Sequence, residues 1–177
     1  MQKEKKQVEA MVGVIMGSDS DYPVMAEACR MLEKFGISYE VEVVSAHRSP
    51  ERAAEYGKTA RERGLKAIIV GAGGAAHLAG VVAAFTTLPV IGVPMAATSL
   101  NGMDSLLATA QMPGGVSVAT MAIGKPGAMN AGIYAAQIMG TSDTTMACRL
   151  ADYKKELDAS VLEKSARLKR ELNAAKQ

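Results

Sequence analysis

The chain has 177 residues, of which 49% are hydrophobic and 21% charged, and its formal charge is +2. At roughly 150 residues per domain that is one domain with tails, long enough to bury a core without a disulfide or metal staple. The near balance of basic and acidic side chains excludes a protein that grips nucleic acid by its backbone, and with no run of about 18 apolar residues nothing reads as a membrane span.

Met1 to Glu9 is rich in Lys and Glu with no apolar stretch behind it. It reads as a solvated tail, not a secretory signal. Cys29 and Cys148 lie far apart in helical patterns, as expected of reduced cysteines in a cytoplasmic protein. Two His and two Cys in separate segments do not make a zinc site, and no metal is expected.

Strand and helix patterns then alternate. Met11 to Met16 is a short apolar run closed by Gly17 and reads as a buried strand. Pro23 to Phe35 has helical spacing, with Pro23 suited to the first turn and Gly36 to the stop. Ser38 to Val44 is a second strand, and Pro50 to Arg63 a second helix closed by Gly64. Ala67 to Val70 is a third strand that runs into a Gly/Ala loop. A short helix over Leu78 to Thr86, a strand over Val90 to Val93 and a short helix over Asp104 to Ala110 follow. Val116 to Ile123 reads as a fifth strand and Pro126 to Met139 as a helix of small residues.

Apolar strands alternating with helices imply a parallel sheet covered on both faces. The expected fold is a three-layer α/β domain, flavodoxin-like or Rossmann-like, of about five parallel strands with a long C-terminal helical extension. The expected division is a tail over 1–10, an α/β domain over 11–142 and an extension over 143–177. In the extension, apolar residues recur at Met146, Leu150, Tyr153, Leu157, Val161, Leu168 and Leu172. As one helix it would run about 45 Å, longer than its own domain can cover, so part of the stripe is expected against another subunit. Ser160 with Glu163 fits a capping box, and two shorter helices are the alternative.

In open α/β sheets, ligands bind beyond the carboxyl ends of the strands. Three polar or glycine-rich turns fall there: Gly17-Ser18-Asp19-Ser20-Asp21, Ser45-Ala46-His47-Arg48-Ser49-Pro50, and Gly71-Ala72-Gly73-Gly74-Ala75-Ala76-His77. Both histidines of the chain and Arg48 thus point to one edge. The first turn feeds a helix N-terminus, where an anion is favoured, and Arg48 is suited to clamp it. Phosphate is the natural candidate. Ser18 and Ser20 also fit ordinary turn chemistry, and Asp21 fits either a helix N-cap or an acceptor for sugar hydroxyls. His47 is the acid/base candidate. His77 touches the ligand or holds its loop. The small residues over 71–76 leave room for a flat ligand, or else for tight helix–sheet packing. Gln111 to Gly115 is a lid or a plain connector.

Taken together, G-S-D-S-D (17–21), S-A-H-R-S-P (45–50), G-A-G-G-A-A-H-L (71–78), L-N-G-M-D-S-L (100–106) and Q-M-P-G-G (111–115) resemble the class I N5-carboxyaminoimidazole ribonucleotide mutases of bacterial purine synthesis. The likeness runs from about Val12 to Gly140. It implies a flavodoxin-like octamer whose C-terminal helices reach over neighbours. It implies an isomerase that moves a carboxylate from the exocyclic nitrogen to carbon 4 of aminoimidazole ribonucleotide, without a cofactor. His47 matches the catalytic histidine. Ser18, Asp21 and Arg48 match substrate-binding positions, and the resemblance extends that role to Ser45, Gly71, Gly73, Gly74, His77 and Leu78. Tyr22, Ser49 and Ala79 depart from the Trp, Thr and Pro that the family often carries. The alternatives are the related class II carboxylase, which takes free CO2, and a flavodoxin-like nucleotide-binding domain without enzymatic activity.

Overall fold

The computed structural model describes residues 10–175, so the expected N-terminal tail lies almost wholly outside the described residues. Five strands form one parallel sheet: β1 (Val12–Met16), β2 (Tyr39–Val43), β3 (Ala67–Gly73), β4 (Val90–Met95) and β5 (Ala119–Thr120). Their order is β2-β1-β3-β4-β5. The helices are α1 (Tyr22–Phe35), α2 (Pro50–Ala60), α3 (Leu78–Phe85), α4 (Met103–Ala110), α5 (Lys125–Gly140) and α6 (Thr144–Ala174). This is the expected three-layer, flavodoxin-like arrangement. Right-handed crossovers bring the ends of β1, β2, β3 and β4 to one edge.

The chain divides into two compact units, one up to Ala136 and one from Gln137 onward. The first unit holds the sheet. The alternation of its strands sends Val12, Val14 and Met16 to one face and Ile15 to the other, and all four are buried. On the Ile15 face, Ile68, Val70, Ala53, Tyr56, Leu78 and Val82 form one apolar cluster. Gly13 is required on that face, because a Cβ there would clash with the Tyr56 hydroxyl. On the opposite face α1 buries Met25, Ala28, Leu32 and Phe35. Gly36 ends α1 at φ 69°, and Ile37 N donates to Leu32 O at 2.9 Å, which makes a Schellman stop.

Four elements miss their expected bounds by two or more residues at an end: α2 stops at Ala60 instead of Arg63, β4 runs on to Met95 instead of Val93, and β3 and β5 differ as follows. β3 runs three residues past Val70, through Gly71 to Gly73, paired throughout with β4. Glycine reads as loop, but a Cβ on Gly71 would come within 2.7 Å of both Met25 Sδ and Met95 Cε, so packing demands glycine inside the strand. β5 shrinks from the expected eight residues to Ala119–Thr120. The apolar residue Val118 packs on the core without entering the ladder.

In the second unit, α6 is one unbroken helix of 31 residues. Asp143 caps it, accepting from Thr145 N at 2.8 Å and Met146 N at 3.1 Å. The capping-box break at Ser160 does not form. Its neighbours are strong helix formers, and an interior Ser costs only a few tenths of a kcal/mol there. Met146 and Tyr153 are buried, while Leu157, Val161, Leu162, Leu168 and Leu172 are exposed. Among the described residues no helix is long and apolar enough to cross a membrane.

Candidate active site

The three turns singled out at the strand ends meet around one cavity of about 440 Å³. Each is shaped by local chemistry.

The first turn continues the sheet by one residue, since Gly17 N donates to Gly71 O at 3.2 Å. Ser18 is extended and caps a single 3-10 turn, Asp19–Asp21, that precedes α1. Its Oγ accepts from Ser20 Oγ at 2.8 Å and from Ser20 N at 3.3 Å. Turn chemistry therefore accounts for part of Ser18 and Ser20, although both also line the cavity. Asp21 stands at the N-cap of α1 but its side chain caps nothing. It lines the cavity instead. Burial pushes its carboxyl above the usual carboxylate range, opposed by a backbone hydrogen bond from Ser18 and reinforced by the charge of Asp19.

The second turn is closed by its own serines. Ser49 N and Ser49 Oγ both donate to Ser45 O, at 2.9 and 3.1 Å. Ser45 N donates back to Ser49 Oγ at 3.3 Å, and Arg48 N donates to Ser45 Oγ at 3.1 Å. This ring holds His47 and Arg48 at the rim. Arg48 Nη2 then donates to Gly17 O at 3.0 Å, which brings the guanidinium to the first turn.

The third turn leaves β3 at Gly73, and Gly74 takes φ 58°, a left-handed conformation suited to glycine. His77 N donates to Ala75 O at 2.8 Å, which closes the turn ahead of α3. Ala79, where the family often has Pro, is buried in the first turn of that helix. His77 does not cap α3 with its side chain. Its Nδ1 lies 2.8 Å from His47 Nε2. The rings meet edge to face at 79°, with centroids 4.9 Å apart.

Of the expected site residues, Ser18, Asp21, Ser45, His47, Arg48, Gly73, Gly74 and Leu78 line the cavity. His77 is not part of the lining but reaches His47, and Gly71 lies inside β3 against Met25. The sequence reading missed Ala97 and Thr98, which form a fourth wall after β4. Small loop residues carry no chemical signature, and only the nearby L-N-G-M-D-S-L motif hinted at them. None of residues 111–115 lines the cavity. Met112 lies against Gly80 of α3 instead, as a connector would.

The cavity brings together the Ser18 hydroxyl, the Arg48 guanidinium, the Asp21 carboxyl and the His47 imidazole, between walls of backbone and small apolar groups. The chain is similar to known proteins. The sequence profile of the AIR carboxylase family matches residues 11–160. The N5-carboxyaminoimidazole ribonucleotide mutase of Vibrio parahaemolyticus is 56% identical over 151 residues, covering 85% of this chain and 94% of that protein. That of Thermotoga maritima is 57% identical over 157 residues, covering 89% and 91%. The crystal structure of Treponema denticola PurE superposes with a TM-score of 0.79 at 28% identity, over 89% of this chain and 97% of that one. With the profile spanning most of its length and relatives above half identity, the chain belongs to the AIR carboxylase family.

Proposed function

We infer that this chain is an N5-carboxyaminoimidazole ribonucleotide mutase, an isomerase of purine biosynthesis. It converts N5-carboxyaminoimidazole ribonucleotide into 4-carboxy-5-aminoimidazole ribonucleotide. The observation that carries the reading is the convergence of His47 and Arg48 with the 17–21 turn on one cavity, in a chain more than half identical to such mutases.

The proposed chemistry uses what stands there. The substrate phosphate lies between the Gly17-Ser18 turn and the Arg48 guanidinium, and Asp21 accepts from ribose hydroxyls. The carbamate nitrogen gains a proton as CO2 leaves, giving aminoimidazole ribonucleotide and CO2 in one cavity. The electron-rich ring carbon attacks the CO2, a C–C bond forms, and the ring carbon loses its proton. One proton is taken up and one released, so His47 suffices as the shuttle. The carboxylate arrives with the substrate, so the path calls on no ATP, biotin or metal. Holding CO2 beside the ring replaces a bimolecular encounter by an intramolecular one.

The reading extends to assembly and place. The exposed apolar stripe of α6 from Leu157 to Leu172 supports an intersubunit role for the extension over 143–177, beside an α/β catalytic domain over 11–142, within a homo-octamer. A bacterial, cytoplasmic enzyme suits both the pathway and two free cysteines.

The test is to incubate the protein, without ATP, with each carboxylated ribonucleotide and separately with aminoimidazole ribonucleotide and bicarbonate. Interconversion of the two carboxylated species is expected. Product formed only from the decarboxylated substrate and CO2 would replace the mutase by a carboxylase.

A further inference from the structure

The fourth wall of the cavity contains a feature that its backbone alone does not explain. After β4 the chain makes two successive turns, closed by Asn101 N to Thr98 O and Met103 N to Leu100 O, both at 3.1 Å. Asn101 sits at φ 51°, the one non-glycine residue with positive φ among the described residues, and Gly102 at φ 87°. Such a backbone persists only where its surroundings hold it. Two anchors do so here. Ser105 is fully buried and its hydroxyl reaches Met95 O at 2.8 Å and Gly102 O at 2.9 Å. Next to it, Asp104 accepts the Thr98 hydroxyl at 2.6 Å.

The Thr98–Asp104 bond fixes more than the loop. The Thr98 hydroxyl keeps the Asp104 carboxyl below the usual carboxylate range. An ionised carboxylate only accepts, so the hydroxyl must donate to it. The same oxygen accepts from Leu100 N at 3.2 Å. With the oxygen held on that side, the tetrahedral Cβ sends the methyl the other way. It faces the third turn: a Cβ on Gly74 would lie 3.4 Å from Thr98 Cγ2. Beside it, the Ala97 methyl would lie 2.7 Å from a Cβ on Gly73. The two methyl groups thus pack directly against the glycine turn, and together they form one continuous apolar stretch of the cavity lining.

We propose that Thr98 retains CO2 in this enzyme: its methyl, packed against the Gly73-Gly74 turn, completes an apolar wall of the cavity, and Asp104 is the positioning residue that turns the hydroxyl away from it. The proposal rests on the mutase reading above, in which CO2 is held between its loss from nitrogen and its capture by carbon. A hydroxyl aimed into this recess would bring in water, and a missing methyl would open a gap. Either lets CO2 escape, leaving aminoimidazole ribonucleotide as a released product instead of an intermediate.

The experiment follows both products from the carboxylated substrate, without ATP and corrected for enzyme-free decomposition. It uses the unaltered protein, Thr98→Ser, Thr98→Val and Asp104→Ala. Thr98→Ser keeps the hydroxyl and loses the methyl, and Asp104→Ala frees the hydroxyl to turn inward. Both are expected to raise the ratio of released aminoimidazole ribonucleotide to carbon-carboxylated product about tenfold, the size of effect one methyl has in an apolar pocket. Thr98→Val is expected to slow turnover, since Leu100 N loses its acceptor, yet to keep the parent's product ratio. A purely structural role would move turnover in all three variants and the ratio in none. Thr98→Ser at the parent's ratio, or Thr98→Val leaking as much as Thr98→Ser, overturns the proposal. If Asp104→Ala does not fold, the two Thr98 variants decide the matter. If the unaltered protein forms no carbon-carboxylated product, the mutase reading fails and the proposal with it.

Discussion

His47 and His77 share a hydrogen bond, with Nε2 of the first 2.8 Å from Nδ1 of the second. One ring must donate and the other accept, so the contact ties the tautomer of each imidazole to that of its neighbour. It also orients the ring that faces the cavity. His77→Ala removes this support without touching the cavity wall. Turnover is expected to fall about 100-fold, as for a modest misplacement of a catalytic group, with a smaller change in KM. Steady-state kinetics at saturating substrate would read it.

Asp21 bears an opposite relation to stability and to function. Burial raises its folded-state pKa above the ordinary value of 3.8. For an acid so shifted, the folded state binds the proton more tightly than the unfolded one. Stability is therefore full below the ordinary value and is lost as pH rises through the raised one. At neutral pH the ionised carboxylate destabilises the protein. Asp21→Asn is expected to raise the melting temperature at pH 7 by about 1–2 °C, small because the group is half exposed. The gain should disappear on acidification below the ordinary carboxylate range. Turnover should fall about tenfold or more as the ribose hydroxyls exchange a charged, two-oxygen acceptor for one amide oxygen beside an NH2 donor. Paired melting curves at pH 7 and pH 3 test the sign.

Gly13 tests the frame that carries the turns. A Cβ there meets the Tyr56 hydroxyl and Leu65, and Tyr56 cannot retreat freely because it donates to Glu40 at 2.7 Å. Gly13→Ala is expected to cost about 1–3 kcal/mol, the usual range for overpacking a core. Denaturant unfolding would read this as a lower midpoint with an unchanged slope.

Much of this frame was legible because parallel strands buried on both faces are plain apolar runs. The helix stop at Gly36, and the histidines at two strand ends, were legible for similar reasons. Misread elements were those where tertiary packing overrode local signals. Gly71 reads as loop but serves a crowded strand interior. Val118 reads as strand but packs without pairing. Ser160 and Glu163 read as a helix start but sit within strong helix formers. Within the site, charged and titratable residues announced themselves. Thr98 did not, because its contribution is the direction of a methyl group that only a contact with Asp104 determines. The relation of His77 to His47 was equally hidden, since thirty residues separate them and only the β2–β1–β3 order brings their turns together.

The assignment of the proton shuttle to one side chain is most directly tested by the turnover of His47→Asn. The variant should first give the parent's far-ultraviolet spectrum and cooperative melt. The account predicts that it binds the carboxylated ribonucleotide yet turns it over at least about 100-fold more slowly. A folded His47→Asn protein that interconverts the two carboxylated species at nearly the parent's rate would contradict it.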